Sequence, residues 1–165
     1  MVVLACEGAC EVYLMQQLLD NDCLIFNKKE ILDRRPIHMR QPKEISALID
    51  TLSVNEKIVF YRIGDTQKED FSLSCFWARK ENISVYKVCT KPEIEILIII
   101  NEHLHEEYMK TKSKVSPKQF VKTHIKDYVS FNDYIQNHDM IWSIKEYKRI
   151  KRNDKNELYI DDLLK

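Results

Sequence analysis

Two acids stand beside the chain's only two glycines. Glu7-Gly8 closes the apolar run "MVVLAC", and Gly64-Asp65 closes "KIVFYRI". Glycine is the residue of sharp turns. In a parallel α/β sheet, ligands bind beyond the carboxyl ends of the strands. If the first and third strands are neighbours, Glu7 and Asp65 meet at that edge. Carboxylates brought together with no basic residue alongside repel unless a cation lies between them. Hard oxygen ligands that leave water positions open suit Mg²⁺ (or Mn²⁺). Such an ion can orient a phosphodiester, polarise it and lower the pKa of an attacking water. The same acids have a second reading as helix caps, because carboxylates favour helix N-termini. Both readings are open at this point.

The elements that would position these acids read as a strand–helix alternation. Val2–Cys6 is a short strand, apolar on both faces. The helix after it, "ACEVYLMQQLLDND", presents Val12, Leu14, Met15, Leu18 and Leu19 on one side. Cys23–Phe26 reads as a second strand, Pro42–Leu52 as a helix and Lys57–Ile63 as a third strand. Phe71–Asn82 reads as a helix and Ile83–Val88 as a fourth strand. The alternation predicts an α/β fold with a mostly parallel four-stranded sheet flanked by helices. Lys91–Met109 reads as one long buried helix, and Lys110–Lys165 as a more polar helical stretch. No repeat and no linker divides the chain. Residues 1–110 are expected to form an α/β core, with 111–165 a helical extension packed on the same domain.

The charge balance narrows the function classes. Among 165 residues, 26 basic and 26 acidic side chains cancel, so no global field favours nucleic acid or membrane. A polyanion site has to be a local patch. The clearest charge segregation is "KTKSKVSPKQFVKTHIK", residues 110–126, with six lysines and no acid. Lys110, Lys112, Lys114, Lys118 and Lys122 are its candidates for phosphate contacts; a solvated helix face is the plainer reading. The run Lys145–Lys155 is diluted by acids and reads as solvated surface.

Five cysteines, an odd number with no two-residue gap, read as reduced thiols of a cytosolic (cytoplasmic) protein. The apolar N-terminus is too short for a signal peptide, and no apolar stretch is long enough to span a bilayer, so no membrane role is expected. His103, His105 and Glu106 lack the spacing of a zinc pair and read as surface or capping residues. Trp77 and Trp142 are expected in the core. No glycine-rich phosphate loop occurs, so any ATP dependence would come from a partner.

The opening "CEGACE" resembles the E-G-x-x-(D/E) motif of TOPRIM domains, and "GDTQ" resembles the position of their D-x-D motif. Three stretches are similar to the small RloB-like branch, near the OLD-type nucleases of bacterial defence loci. They are "LACEGACEVYLMQQL", "DTQKEDF" and "ISVYKVCTKPEIEILIII", and together they span roughly residues 2–110. The resemblance implies a Mg²⁺-dependent endonuclease that hydrolyses phosphodiester bonds of RNA or DNA in antiviral defence against phage. It also implies a partner ATPase. Carried over by position, Glu7 matches the motif glutamate and Glu11 the second acid of the opening. Asp65 matches the first aspartate of the D-x-D, and Glu95 the helix-start glutamate. On this resemblance Asp65 is the main metal ligand, and Glu7 is a second ligand or the general base. Glu11 and Glu95 are further ligands, or an exposed helix acid and a helix cap. The chain departs from the motif at Gln67, whose amide supplies no charge. Glu69 and Asp70 are the nearest acids that could take its place. Asn101 stands where the branch often carries histidine. These departures keep a second function open, a non-catalytic TOPRIM-like binding or regulatory module of a multi-protein complex. RNA against DNA, and the oligomeric state, are left open.

Overall fold

The computed structural model describes residues 1–39, 57–65, 80–151 and 157–165. The expected helix at Pro42–Leu52 lies outside the described residues, as do all but Lys80–Asn82 of the helix expected at Phe71–Asn82, where those three residues form a 3-10 turn, and Gln67, Glu69, Asp70, Cys75 and Trp77.

The described chain is α/β, with a four-stranded sheet in the order β2-β1-β3-β4. The strands are β1 (Val2–Cys6), β2 (Ile37–His38), β3 (Ile58–Gly64) and β4 (Ile83–Cys89). Every pairing is parallel. Helix α1 (Ala9–Asp20) follows β1. After β4 come α2 (Ile96–Asn101), α3 (His105–Thr111), α4 (Pro117–His124), α5 (Phe131–Asn137) and α6 (Ile141–Ile150). This arrangement is consistent with a TOPRIM-like, Rossmann-type fold, and the first and third predicted strands are neighbours.

Alternation along the strands sorts two cores. Leu4, Cys6, Ile63 and Val88 face a large cluster shared with α1, α2 and the helices after residue 110. Val3, Ala5, Ile58 and Phe60 face a smaller cluster with Met39 and Ile83. Helix α6 packs on α2, and α5 on α1. Among the described residues no helix is long and apolar enough to cross a membrane. The four described cysteines are free thiols, with Cys6 and Cys89 buried.

Three expectations are corrected. Cys23–Phe26 is not a sheet strand. Its first amide is spent closing α1, where the Cys23 N–H donates to the Leu18 carbonyl and Asp22 takes a left-handed φ of 55°. The segment then pairs with the C-terminus, Ile25 N–H to Leu163 O and Lys165 N–H to Cys23 O. The sheet's second strand is the two-residue β2 instead. The long helix over Lys91–Met109 is two helices, because His103 at φ 59° breaks the ladder and the Leu104 N–H reaches back to Ile99 O. Trp142 is 47% exposed, its ring 4.8 Å from His103, and is not core.

Candidate functional site

The register of β1 on β3 builds the site's first corner. Cys6 lies opposite Ile63, and the Glu7 N–H donates to the Ile63 carbonyl at 2.9 Å. Glu7 therefore stands beside Gly64. The two-residue period of a strand puts Val3, Ala5 and Glu7 on one face, and Phe60, Arg62 and Gly64 on that same face of β3. Arg62, almost fully buried, pairs with Glu7 there, Nη2 to Oε1 at 2.7 Å. The expectation of acids with no basic residue alongside is thus corrected. A buried guanidinium already balances Glu7, and sequence reading passed over it as part of an apolar strand. A charged residue inside "IVFYRIG" was the available signal.

The glycines also have a different reason from sharp turning. Neither has positive φ, and Gly8 is extended at φ −128°. What each supplies is room for a carboxylate. A Cβ on Gly64 would sit 2.5 Å from Glu7 Cγ, and closer still to its Cδ and Oε2. A Cβ on Gly8 would fall far inside contact with Glu11 Oε2.

Glu11 comes from the first turn of α1 and is buried. Burial pushes its carboxyl above the usual carboxylate range, and the charges of Asp65, Glu95 and Glu7 add to the rise. The predicted acids Asp65, Glu95 and Glu7 thus lie within electrostatic reach of Glu11. Glu95 occupies the N-cap position of α2, yet its side chain makes no capping bond. It is buried, and its carboxyl is raised chiefly by that burial and then by Glu93, with Lys118 and Lys122 pulling the other way. The Cys10 thiol is pushed up to about 11 by burial and by Glu95 and Glu11. Across from these acids, Ser116 and Gln119 form a capping box at the start of α4, and the Lys118 N–H donates to Glu93 Oε2 at 3.0 Å.

Together these groups line a cleft of about 560 Å³ that contains Glu7, Glu11, Asp65, Glu93 and Glu95 with Arg62 and Lys118. All four described candidate acids are therefore in one place. Of the candidate lysines, Lys118 borders the cleft and Lys122 is close enough to act on Glu95. Lys110, Lys112 and Lys114 are exposed on the segment before α4 and do not line it. Glu93 and Cys10 were not singled out as site residues from the sequence.

Among the described residues, no group of three His, Cys, Asp or Glu side chains is arranged to hold a metal ion. A structural zinc site would need such a group. Mg²⁺ does not; it takes one or two protein carboxylates and completes its shell with water and phosphate oxygens. The carboxylates that line this cleft beside Cys10, Arg62 and Lys118 are the donor type that ion takes. The chain matches none of the protein-family models, curated proteins or solved structures compared with it.

Proposed function

We propose that this protein is a Mg²⁺-dependent phosphodiester hydrolase acting on nucleic acid, with its site in the acidic cleft. The observation that carries the reading is the convergence of Glu7, Glu11, Asp65, Glu93 and Glu95 on one solvent-accessible cleft at the carboxyl edge of a parallel sheet. Five acids against two cations leave a field that a divalent ion relieves. Asp65, half-buried at the end of β3, would hold the ion with Glu11 or Glu7. A bound divalent ion would supply charge neutralisation on the phosphate and a more acidic attacking water.

The chain's own residues do the rest. Arg62 fixes Glu7 in place through a buried ion pair, so its orientation is set before substrate arrives. Glu11 and Glu95, whose burial strengthens their hold on a proton, are suited to accept one from water and pass it to a leaving oxygen. Lys118 and Lys122, one helical turn apart on α4, would meet the phosphate backbone. A role in phage defence and a partner ATPase rest on the TOPRIM resemblance alone.

The second reading, a non-catalytic binding module, is favoured by one observation. Glu7 is engaged by Arg62, and this fits the neutral Gln67 that stands in the sequence where the motif expects an acid. Incubation with labelled RNA and DNA in Mg²⁺ or Mn²⁺ separates the two. The enzyme reading expects cleavage by the native chain and none by Glu7→Gln or Asp65→Asn. Native protein that binds no metal by calorimetry and cleaves neither nucleic acid would sink it.

A further inference from the structure

A second cleft, of about 470 Å³, opens at the other end of α2 and α4. Glu93–Glu95 and Lys118 border the acidic cleft near the N-termini of these helices. Glu102, Leu104, His124 and Ile125 border the second cleft at their C-termini. The six residues from Lys118 to His124 advance about 9 Å at a helical rise of ~1.5 Å. That distance matches roughly three nucleotides of stacked strand at ~3.4 Å each.

Two imidazoles line this cleft, and both are presented in the same way. The His124 ring lies flat on Phe120, 3.9 Å between centroids at 7°. The His138 ring lies flat on Tyr134, 4.0 Å at 6°. Each is fixed by its own helix, with His124 Nδ1 donating to Phe120 O at 3.0 Å and His138 Nδ1 donating to Tyr134 O at 2.8 Å. Both side chains are exposed. An aromatic ring with one face backed by another ring, its tilt locked by a hydrogen bond, is a ready stacking surface for a flat partner.

The rim has the chemistry of base recognition. Glu102, Asp127 and Asp133 offer carboxylates that can accept from exocyclic amino groups and ring N–H donors. Glu102 is itself positioned by the Tyr134 hydroxyl, which donates to its Oε1 at 2.5 Å. Between the clefts, Lys118, Lys122 and Lys126 recur every four residues, and Lys126 reaches the second cleft. Tyr128 borders the second cleft, and its phenol is pushed up to about 12 by burial and by the charges of Glu95 and Cys10 from the first. The two clefts share α2 and α4, one at each end.

We propose that the second cleft is a nucleobase pocket, which takes an unpaired base of the strand whose phosphodiester lies in the acidic cleft. The inference rests on the hydrolase reading for the identity of the strand, and it narrows the substrate to single-stranded nucleic acid. A paired base keeps its faces inside the duplex stack and cannot reach the imidazoles.

The test is binding in excess EDTA, where no cleavage occurs, so failure of the hydrolase reading leaves the outcome readable. The probes are a fluorescent single-stranded oligonucleotide of about ten nucleotides, its duplex, and free nucleoside monophosphates. The native chain is expected to prefer the single strand. His138→Ala should weaken it about five- to 150-fold, the worth of one stacked base, while His138→Phe, which keeps the ring, should restore most of the loss. Lys122→Ala should weaken the oligonucleotide and lessen its salt dependence. Circular dichroism melts confirm that each variant is folded. Equal binding of duplex and single strand, or His138→Ala binding like the native chain, overturns the proposal. A free monophosphate that binds as tightly as the oligonucleotide, with no loss on Lys122→Ala, overturns the assignment to a strand.

Discussion

Gly64→Ala tests whether glycine is required at the end of β3 by the Glu7 carboxylate. The added methyl would lie 2.5 Å from Glu7 Cγ and closer to the carboxyl group. Glu7 must therefore move. Its side chain is flexible, but its carboxylate is held 2.7 Å from the Arg62 guanidinium, and both partners are largely buried. Overpacking alone costs about 1–3 kcal/mol. Breaking a buried ion pair costs about 3–5 kcal/mol when it is complete. Alanine returns about 0.4–1 kcal/mol by restricting the unfolded chain, since Gly64 has no positive φ to forbid it. With partial relaxation the net loss should be about 2–4 kcal/mol. For a chain of this size that is a fall in Tm of about 5–15 °C.

The decisive measurement is the same substitution in a Glu7→Ala background, by urea denaturation. With the carboxylate gone the collision is gone, and Gly64→Ala should become neutral or stabilising by up to about 1 kcal/mol. The coupling between the two positions should then be about 3 kcal/mol, well above the ~0.5 kcal/mol scatter of independent sites. Where Glu7→Ala alone is too unstable, adding Arg62→Met removes the stranded cation and the cycle is run in that background. An equal cost of Gly64→Ala with and without Glu7 would refute the reasoning, because the glycine would then be needed for some reason other than the carboxylate.

Two further outcomes probe the cleft's electrostatics. Glu11 is held above its ordinary value near 4.5, first by burial and then by Asp65, Glu95 and Glu7. The folded chain therefore binds that proton more tightly than the unfolded chain. The stability this contributes is greatest below the unfolded value and is lost as pH rises through the folded one. Glu11→Gln should be more stable than the native chain at pH 7, and the gap should close at pH 4; a variant less stable at pH 7 contradicts the burial argument. The Cys10 thiol, near 11, should be about 0.1% thiolate at pH 8 and label slowly with iodoacetamide by mass spectrometry. Because Glu95 and Glu11 both raise it, Glu95→Gln should speed that labelling, and an unchanged rate would mean the two groups do not share the cleft.

The parts of the fold that were legible in sequence are those where local pattern and burial agree. Val2–Cys6 is apolar on both faces and Ile58–Gly64 nearly so, broken by Arg62 alone, as strands buried in a parallel sheet tend to be; their adjacency was a condition the sequence left open and the register supplies. Cys23–Phe26 carries a similar apolar run, yet its backbone groups were claimed by α1 and by a C-terminal segment some 140 residues away in sequence. No local pattern encodes that competition. The split of Lys91–Met109 escaped for a related reason, since Ile96–Ile100 are all buried and offered no periodicity to mark an end. Within the site, Glu7 and Asp65 were readable from their places after strands, whereas Glu11 and Glu95 came only from the resemblance. Arg62 was not weighed, because alternation places it on a face but does not say what its guanidinium reaches. Of five lysines, only Lys118 and Lys122, at the two ends of α4, come near the acids, since Lys110 ends α3 and Lys112 and Lys114 lie in the turn between the two helices.

The acidic cleft meets its own repulsion in three ways, and they are not equivalent. Arg62 balances Glu7 permanently, because a guanidinium stays charged at any working pH. Lys118 is exposed and screened by solvent, so its balance is weaker and salt-dependent. Glu11 and Glu95 respond by holding their protons more tightly, which relieves the field only while they remain protonated. Had the fold needed nothing from these acids, replacing them with apolar residues would have stabilised it, as buried charge generally costs more than it returns. Instead two glycines give up their side chains to make room for Glu7 and Glu11. Room made for two carboxylates that burial and mutual repulsion disfavour is a cost that the proposed divalent ion would offset.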